Sequence, residues 1–253
     1  MEIQNLICAI RESVRDTIGS QKAVAVAYSG GLDSSVVARV AGESSEVVCY
    51  TAAFPGSHDH GSAVRFAEEE GAALEMIMLD AENLEHLVIE AGRALRSADP
   101  IRISYTVPIM SVIEASREDL VLVGSGADEL FGGYSKYSSM ADPTNAMTAD
   151  FEKALHELSM LDAAARTRGK RVGAPFASSS LREIADGIPI ADKVSGERRK
   201  IVLREVAKEL GLASHSRPKK AAQYSSGVLK EMRRAARVGG VDLSAWTEKM
   251  LRQ

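Results

Sequence analysis

A chain of 253 residues, 45% hydrophobic and 26% charged, is ample for one α/β domain with a sizeable buried core and room for a helical appendage. Its formal net charge of -4 argues against a general nucleic-acid surface and no apolar run reaches membrane-spanning length. Glu2, Arg11 and Glu12 do not have the layout of a signal peptide, so a soluble cytoplasmic protein is expected. Cys8 and Cys49 lie far apart without a C-x-x-C pattern, which indicates neither a disulfide framework nor a zinc site; both read as buried apolar residues.

In chain order, an amphipathic helix opens the sequence, with Ile3, Leu6, Ile7, Ile10, Val14 and Ile18 at helical spacing and a stop at Gly19. The apolar run 23–28 predicts a first strand. It leads directly into residues 29–35, SGGLDSS, and then into the start of a helical pattern at Val36. A glycine-rich turn between strand and helix is a phosphate loop: Gly30 and Gly31 let the backbone approach an anion, the hydroxyls of Ser29, Ser34 and Ser35 can donate to phosphate oxygens, and the helix N-terminus adds free N–H groups and a favourable dipole. The lysine of the Walker A pattern is missing. Asp33 would repel a phosphate unless a divalent cation lay between them, so the loop implies Mg²⁺ held by Asp33 and the phosphates together.

Further strands are expected at 47–53, 74–79 and 120–124, separated by helical patterns. His58 and His60, two apart beside Asp59, read as solvated or N-capping residues. The fourth strand runs into residues 124–134, GSGADELFGGY, and from about residue 147 the pattern is mostly helical. Alternating helices and near-continuous apolar strands predict a parallel, Rossmann-like sheet, with the site at the strands' carboxyl ends near a topological switch point. The chain divides on this reading into a nucleotide-binding α/β core, residues 1–146, and a C-terminal helical subdomain, residues 147–253, which closes over the sheet edge.

SGGLDSS resembles the pyrophosphate loop of the N-type ATP pyrophosphatases, and GSGADELFGGY resembles the GEGADELFGGY signature of asparagine synthetases and their β-lactam-forming relatives. The resemblance implies an adenine nucleotide α hydrolase-like fold and cleavage of ATP between its α- and β-phosphates. It places Ser29, Gly30, Gly31, Asp33, Ser34, Ser35 and Gly124 at ATP or pyrophosphate, and makes Asp128 a second Mg²⁺ ligand beside Asp33, with Glu129 in support. Residues 51–59, TAAFPGSHD, resemble the family's adenosine segment, which puts Ala52, Ala53 and Phe54 at the adenine edge. Residues 161–178 and 197–204 resemble later family stretches, the second through the K-x-x-L-R pattern of Lys200, Leu203 and Arg204. Residues 217–227, RPKKAAQYSSG, resemble the lysine-bearing loop; Lys220, with Lys219 as the fallback, is the cation implied at the α-phosphate and pyrophosphate.

Several positions depart from that pattern. Position 2 is Glu2 where glutamine-dependent members carry the glutaminase cysteine, and the phosphate loop arrives by residue 29, so no glutaminase is expected and ammonia would come free or from a separate glutaminase partner. Ser125 replaces the first glutamate of GEGADE. Arg171, Gly173 and Ser178 stand where the family has Glu, Arg and Asp, which predicts a different substrate pocket. The leading expectation is an ATP-dependent amidoligase that adenylates a small-molecule carboxylate, releases pyrophosphate and passes the acyl group to ammonia or an amine. The rival readings are a tRNA-modifying enzyme, with Lys230, Arg233, Arg234 and Arg237 contacting phosphate, and a noncatalytic nucleotide-binding subunit.

Overall fold

The computed structural model describes residues 3–216 and 225–252. Its centre is a five-stranded parallel sheet in the order β3-β2-β1-β4-β5, built from β1 (Ala23–Ala27), β2 (Glu46–Ala53), β3 (Leu74–Met78), β4 (Leu120–Leu122) and β5 (Arg171–Gly173). The first four strands lie where apolar runs place them. β5 does not announce itself, because Arg171-Val172-Gly173 offers one buried aliphatic side chain and no run. The parallel sheet and the helical C-terminal region are both present as expected.

Alternation along the strands sorts side chains between two cores. Val24, Val26, Leu120 and Leu122 face α1 (Ile3–Ile18), α2 (Leu32–Ala41), α8 (Ser179–Asp186) and α10 (Ile201–Glu209). Ala25, Ala52, Val121 and Val123 face the opposite layer of α4 (Leu84–Leu95), α5 (Pro100–Ala115) and the two C-terminal helices, Val228–Val238 and Leu243–Leu251. Burial on both faces explains why the strands read as continuous apolar runs. Helix α3 (His58–Glu70) begins at a Ser57 cap, whose hydroxyl accepts from His60 N–H, so His58 and His60 occupy the first turn of the helix and Ser57, not either histidine, caps it.

One short helix and one long one complete the framework of the site. α6 (Ala127–Phe131) follows β4, and α7 (Thr144–Arg166) leads back to β5. Asp162 on α7 accepts from Val172 N–H at 2.9 Å, tying the helix to the start of that strand. Then come α9 (Ile190–Lys193) and an antiparallel pair, β6 (Val194–Ser195) and β7 (Arg198–Arg199), which turns the chain into α10; the C-terminal helices are α11 (Val228–Val238) and α12 (Leu243–Leu251). Cys49 on β2 is buried as expected, whereas Cys8 is exposed, because it falls on the solvent side of α1, opposite the stripe of Leu6, Ile7, Ile10 and Val14. Among the described residues, no helix is long and apolar enough to cross a membrane.

Candidate functional site

β1 pairs with β2 on one side and β4 on the other, so the strand order reverses between β1 and β4. That is the switch point at which an open parallel sheet leaves a crevice beyond its carboxyl ends. Both glycine-rich segments lie there. After β1 the chain turns through Gly30 at φ +62°, a left-handed conformation, and a Cβ on that residue would fall 2.7 Å from the carbonyl oxygen of Ser62 on α3. Only glycine meets both conditions. Gly31 caps α2, Ser34 Oγ donates to the Gly31 carbonyl and accepts from Ser29 N–H, and Asp33 sits in the helix's first turn, where the dipole favours a carboxylate.

The second segment is packed against the first. A Cβ on Gly124 would fall 2.8 Å from the Asp33 Cβ, so the loop after β4 abuts the phosphate loop. Gly126 turns the chain at φ +97° into α6, which presents Asp128. Gly133 explains the end of the motif: a Cβ there would lie 2.5 Å from Lys200 Cε and would collide with the Asp128 carboxylate. The missing side chain leaves the space in which Asp128 and Lys200 meet.

Lys200 is the residue that joins the two segments. Its Nζ donates to both carboxylate oxygens of Asp33 at 2.5 Å and lies 2.6 Å from Asp128 Oδ1. It is 2% exposed. It caps α10 at φ +54°, a left-handed conformation that is costly for a residue with a Cβ and that persists where the surroundings dictate it. Burial pushes the Lys200 ammonium below the ordinary lysine range, Asp33 pulls it back up, and Arg204 adds to the lowering. One turn along α10, Arg204 donates to the carbonyls of Arg199 and His215, the latter at 2.6 Å. Glu129 is buried behind the pair; burial raises its carboxyl above the usual range against the opposing effects of Tyr134, whose hydroxyl donates to it at 2.6 Å, and of Lys200.

Asp33, Asp128, Lys200 and Arg204 line one side of a cavity of about 270 Å³, together with Ser29, Gly31, Ser34, Gly124 and Ser125. The other side is largely apolar, made by Tyr50 and Ala52 of β2, Val123, and Pro108, Ile109 and Val112 of α5. A polar, charged end facing an apolar wall suits a phosphorylated molecule with a flat base. Gly30 and Ser35 belong to the loop but not to the lining: Gly30 is pressed against α3, and Ser35 is buried with its hydroxyl donating to Tyr28 Oη. Ala53 and Phe54 are also outside the lining. The Ala53 carbonyl accepts from Leu79 N–H and the Phe54 N–H is used by the Ser226 carbonyl, whereas Thr51, Ala52 and Asp59 of the same segment reach the cavity. Lys219 and Lys220 lie outside the described residues.

Arg171 does not shape this site. It pairs with Leu120 at the amino end of β5, opposite the strands' carboxyl ends, and is exposed. Gly173 is packed against Thr17 and Leu122, and Ser178 caps α8 by accepting from Leu181 N–H while bonding to Ser13. The expected pocket change therefore reduces, within the lining, to Ser125. What sequence reasoning missed is the contribution of α5 and the role of Lys200. Its signal was the Lys200 and Arg204 pair, four residues apart and therefore on one face of a helix.

Two carboxylates converging on one cation are a hard oxygen donor pair of the kind Mg²⁺ takes when phosphates complete its coordination. Among the described residues no group of three or more His, Cys, Asp or Glu side chains could hold a metal alone. The donor set fits an ion shared with a phosphorylated ligand rather than one caged by protein.

The family model described as asparagine synthase matches residues 6–170. A Methanocaldococcus jannaschii protein, provisionally named asparagine synthetase [glutamine-hydrolyzing] 1, is 28% identical over 275 residues, covering 92% of this chain and 51% of the relative. Asparagine synthetase B [glutamine-hydrolyzing] of Escherichia coli is 26% identical over 245 residues, covering 87% of this chain and 44% of the relative. The chain thus spans about half the length of these relatives. The solved structure of an NMN synthetase from Francisella tularensis aligns over 99% of this chain and 92% of its own with a TM-score of 0.47 at 13% identity, a likeness too loose to bear on substrate.

Proposed function

The chain belongs to the asparagine synthase family, which implies use of a nucleotide, and we propose that it is an ATP-dependent ligase that adenylates a substrate carboxylate and transfers the acyl group to ammonia or an amine. The observation that carries this reading is the convergence of Asp33, Asp128 and Lys200 at the switch-point crevice. The apolar wall of Ala52, Pro108 and Val112 takes the adenine. The Ser29–Ser34 turn and the N-terminus of α2 take the β- and γ-phosphates. Asp33 and Asp128 would hold Mg²⁺, which when bound would neutralise phosphate charge and help orient the α-phosphorus.

Lys200 lies between these carboxylates and would share them with an ion held there, its ammonium reaching toward the phosphate oxygens. There it stabilises the charge that grows as pyrophosphate departs. A substrate carboxylate oxygen attacks the α-phosphorus, the bond to the bridging oxygen breaks, and pyrophosphate leaves with the electron pair. The nitrogen nucleophile then attacks the acyl carbon, loses a proton, and AMP departs. Ser125, uncharged near neutral pH, cannot act as the base there, so that proton goes to the substrate side or to solvent. Lys220 is a second candidate cation for the phosphates.

Pyrophosphate release from Mg-ATP, measured across a panel of amino acids and other carboxylates with and without ammonium, tests the proposal. Release should require one carboxylate class and should vanish in Asp33→Ala. Release unchanged in Asp33→Ala removes the metal assignment, and silence across the panel, with release on adding tRNA, replaces the substrate class.

A further inference from the structure

A second cavity, of about 440 Å³, lies on the far side of α6, between the start of α7, the end of α8 and α9. It shares no lining residue with the first cavity, although Glu129 in its wall adjoins Asp128 in the chain. Its charged groups differ in how they are satisfied. Arg182 donates to Glu152 at 2.6 Å, lies 3.8 Å from Asp186 and stacks over the Phe151 ring. Glu129 accepts from Tyr134. Lys193 alone stands apart: it is 4% exposed, yet it makes no hydrogen bond or ion pair with any described residue.

Although the residue is buried, its ammonium is not among the fully enclosed polar atoms left without a hydrogen bond, so its three N–H donors are open to whatever fills the space beside it. Lys193 borders this cavity. Burial lowers the Lys193 ammonium below the usual lysine range, with Asp186 opposing from a distance. The rest of the wall restricts what can pair with it. Asp186 and Glu129 disfavour a multiply charged anion such as a phosphate ester, while Met147, Phe151 and Ile188 supply apolar surface.

We infer that this cavity is a second small-molecule site, which takes a monocarboxylate with an aliphatic body, the carboxylate on Lys193 and the body against Met147, Phe151 and Ile188. The site is separate from the crevice at the switch point, and its ligand is not the molecule adenylated there.

The probes are 4-methylpentanoate and its uncharged isostere 4-methylpentanamide, titrated into the full chain by calorimetry and by ligand-observed NMR. The acid should bind at millimolar concentration or better, and the amide at least about tenfold more weakly, since a charge-assisted hydrogen bond is lost. Inorganic pyrophosphate should not displace the acid. Lys193→Met should weaken the acid about tenfold and leave the amide unchanged. The comparison of acid with amide on the unaltered chain stands even if that variant does not fold. No binding of the acid, equal binding of both probes, or displacement by pyrophosphate overturns the inference.

Discussion

At the scale of single residues the site turns on one charge triangle. Lys200 is buried against two carboxylates that lie 167 and 72 positions from it in the chain, and neither pairing has a local signature. That is why Lys200 is visible in the sequence only as part of a helix pattern, while the cationic role falls there to Lys220. Lys200→Met leaves Asp33 and Asp128, with side chains 27% and 24% exposed, facing each other, and should cost less than the roughly 3–5 kcal/mol of breaking a fully buried pair. Denaturant unfolding at pH 7 should show that loss, and millimolar Mg²⁺ should restore part of it by replacing the ammonium. A variant as stable as the parent, or one indifferent to Mg²⁺, contradicts the assignment of these carboxylates to one cation.

The two thiols give an independent residue-scale test. Cys49 sits inside the sheet, where burial pushes its pKa up to about 12, while Cys8 is exposed on α1. At pH 8 a thiol reagent should modify Cys8 within minutes and Cys49 only after denaturation. The linked stability effect has a definite sign. The folded state holds the Cys49 proton above the ordinary thiol value near 8.5, where the unfolded chain has released it, so this residue's contribution to stability falls as pH rises from about 8.5 towards 12. Cys49→Ala should flatten that part of the profile; equal reaction of both thiols in the native protein contradicts the buried assignment.

At the scale of elements, glycines decide how closely helices and loops approach. Residues 124–134 can be recognised in the sequence as a motif, but the reason for Gly133 appears only when α10 brings Lys200 beside it. Gly133→Ala should push Asp128 or Lys200 aside. A displacement of about 1 Å at such a site lowers turnover on the order of 100-fold. Steady-state pyrophosphate release, compared with thermal unfolding of the same variant, checks this; normal turnover means the collision is relieved without moving the carboxylate. Elements with long apolar runs were legible, as β1, β2, β3 and β4 show. β5 was not, because three residues carrying Arg171 and Gly173 have neither a run nor a period, and α5 contributes to the cavity through Pro108, a residue that reads as a helix breaker.

At the scale of the whole molecule, the two glycine-rich segments are far apart in the chain and meet because the strand order reverses between β1 and β4. The parallel sheet and the placement of a phosphate site at its carboxyl ends follow from sequence, since strands buried on both faces cannot avoid continuous apolar character. Tertiary selection among the motif residues does not. Ser29, Gly31, Asp33, Ser34, Gly124 and Asp128 reach the cavity, whereas Gly30, Ser35, Ala53 and Phe54 serve packing or sheet hydrogen bonds around it. Arg171 was drawn into the pocket by its neighbours in sequence and is carried to the opposite end of β5 by the sheet register.

The central claim is that these loops direct cleavage of ATP between its α- and β-phosphates. The most direct measurement is the identity of the nucleotide product formed from ATP labelled at the α-phosphate, with magnesium, ammonium and a mixture of amino acids and other carboxylates. Labelled AMP, with an equal amount of pyrophosphate and dependence on Asp33 and Lys200, is the predicted result; labelled ADP with inorganic phosphate contradicts it.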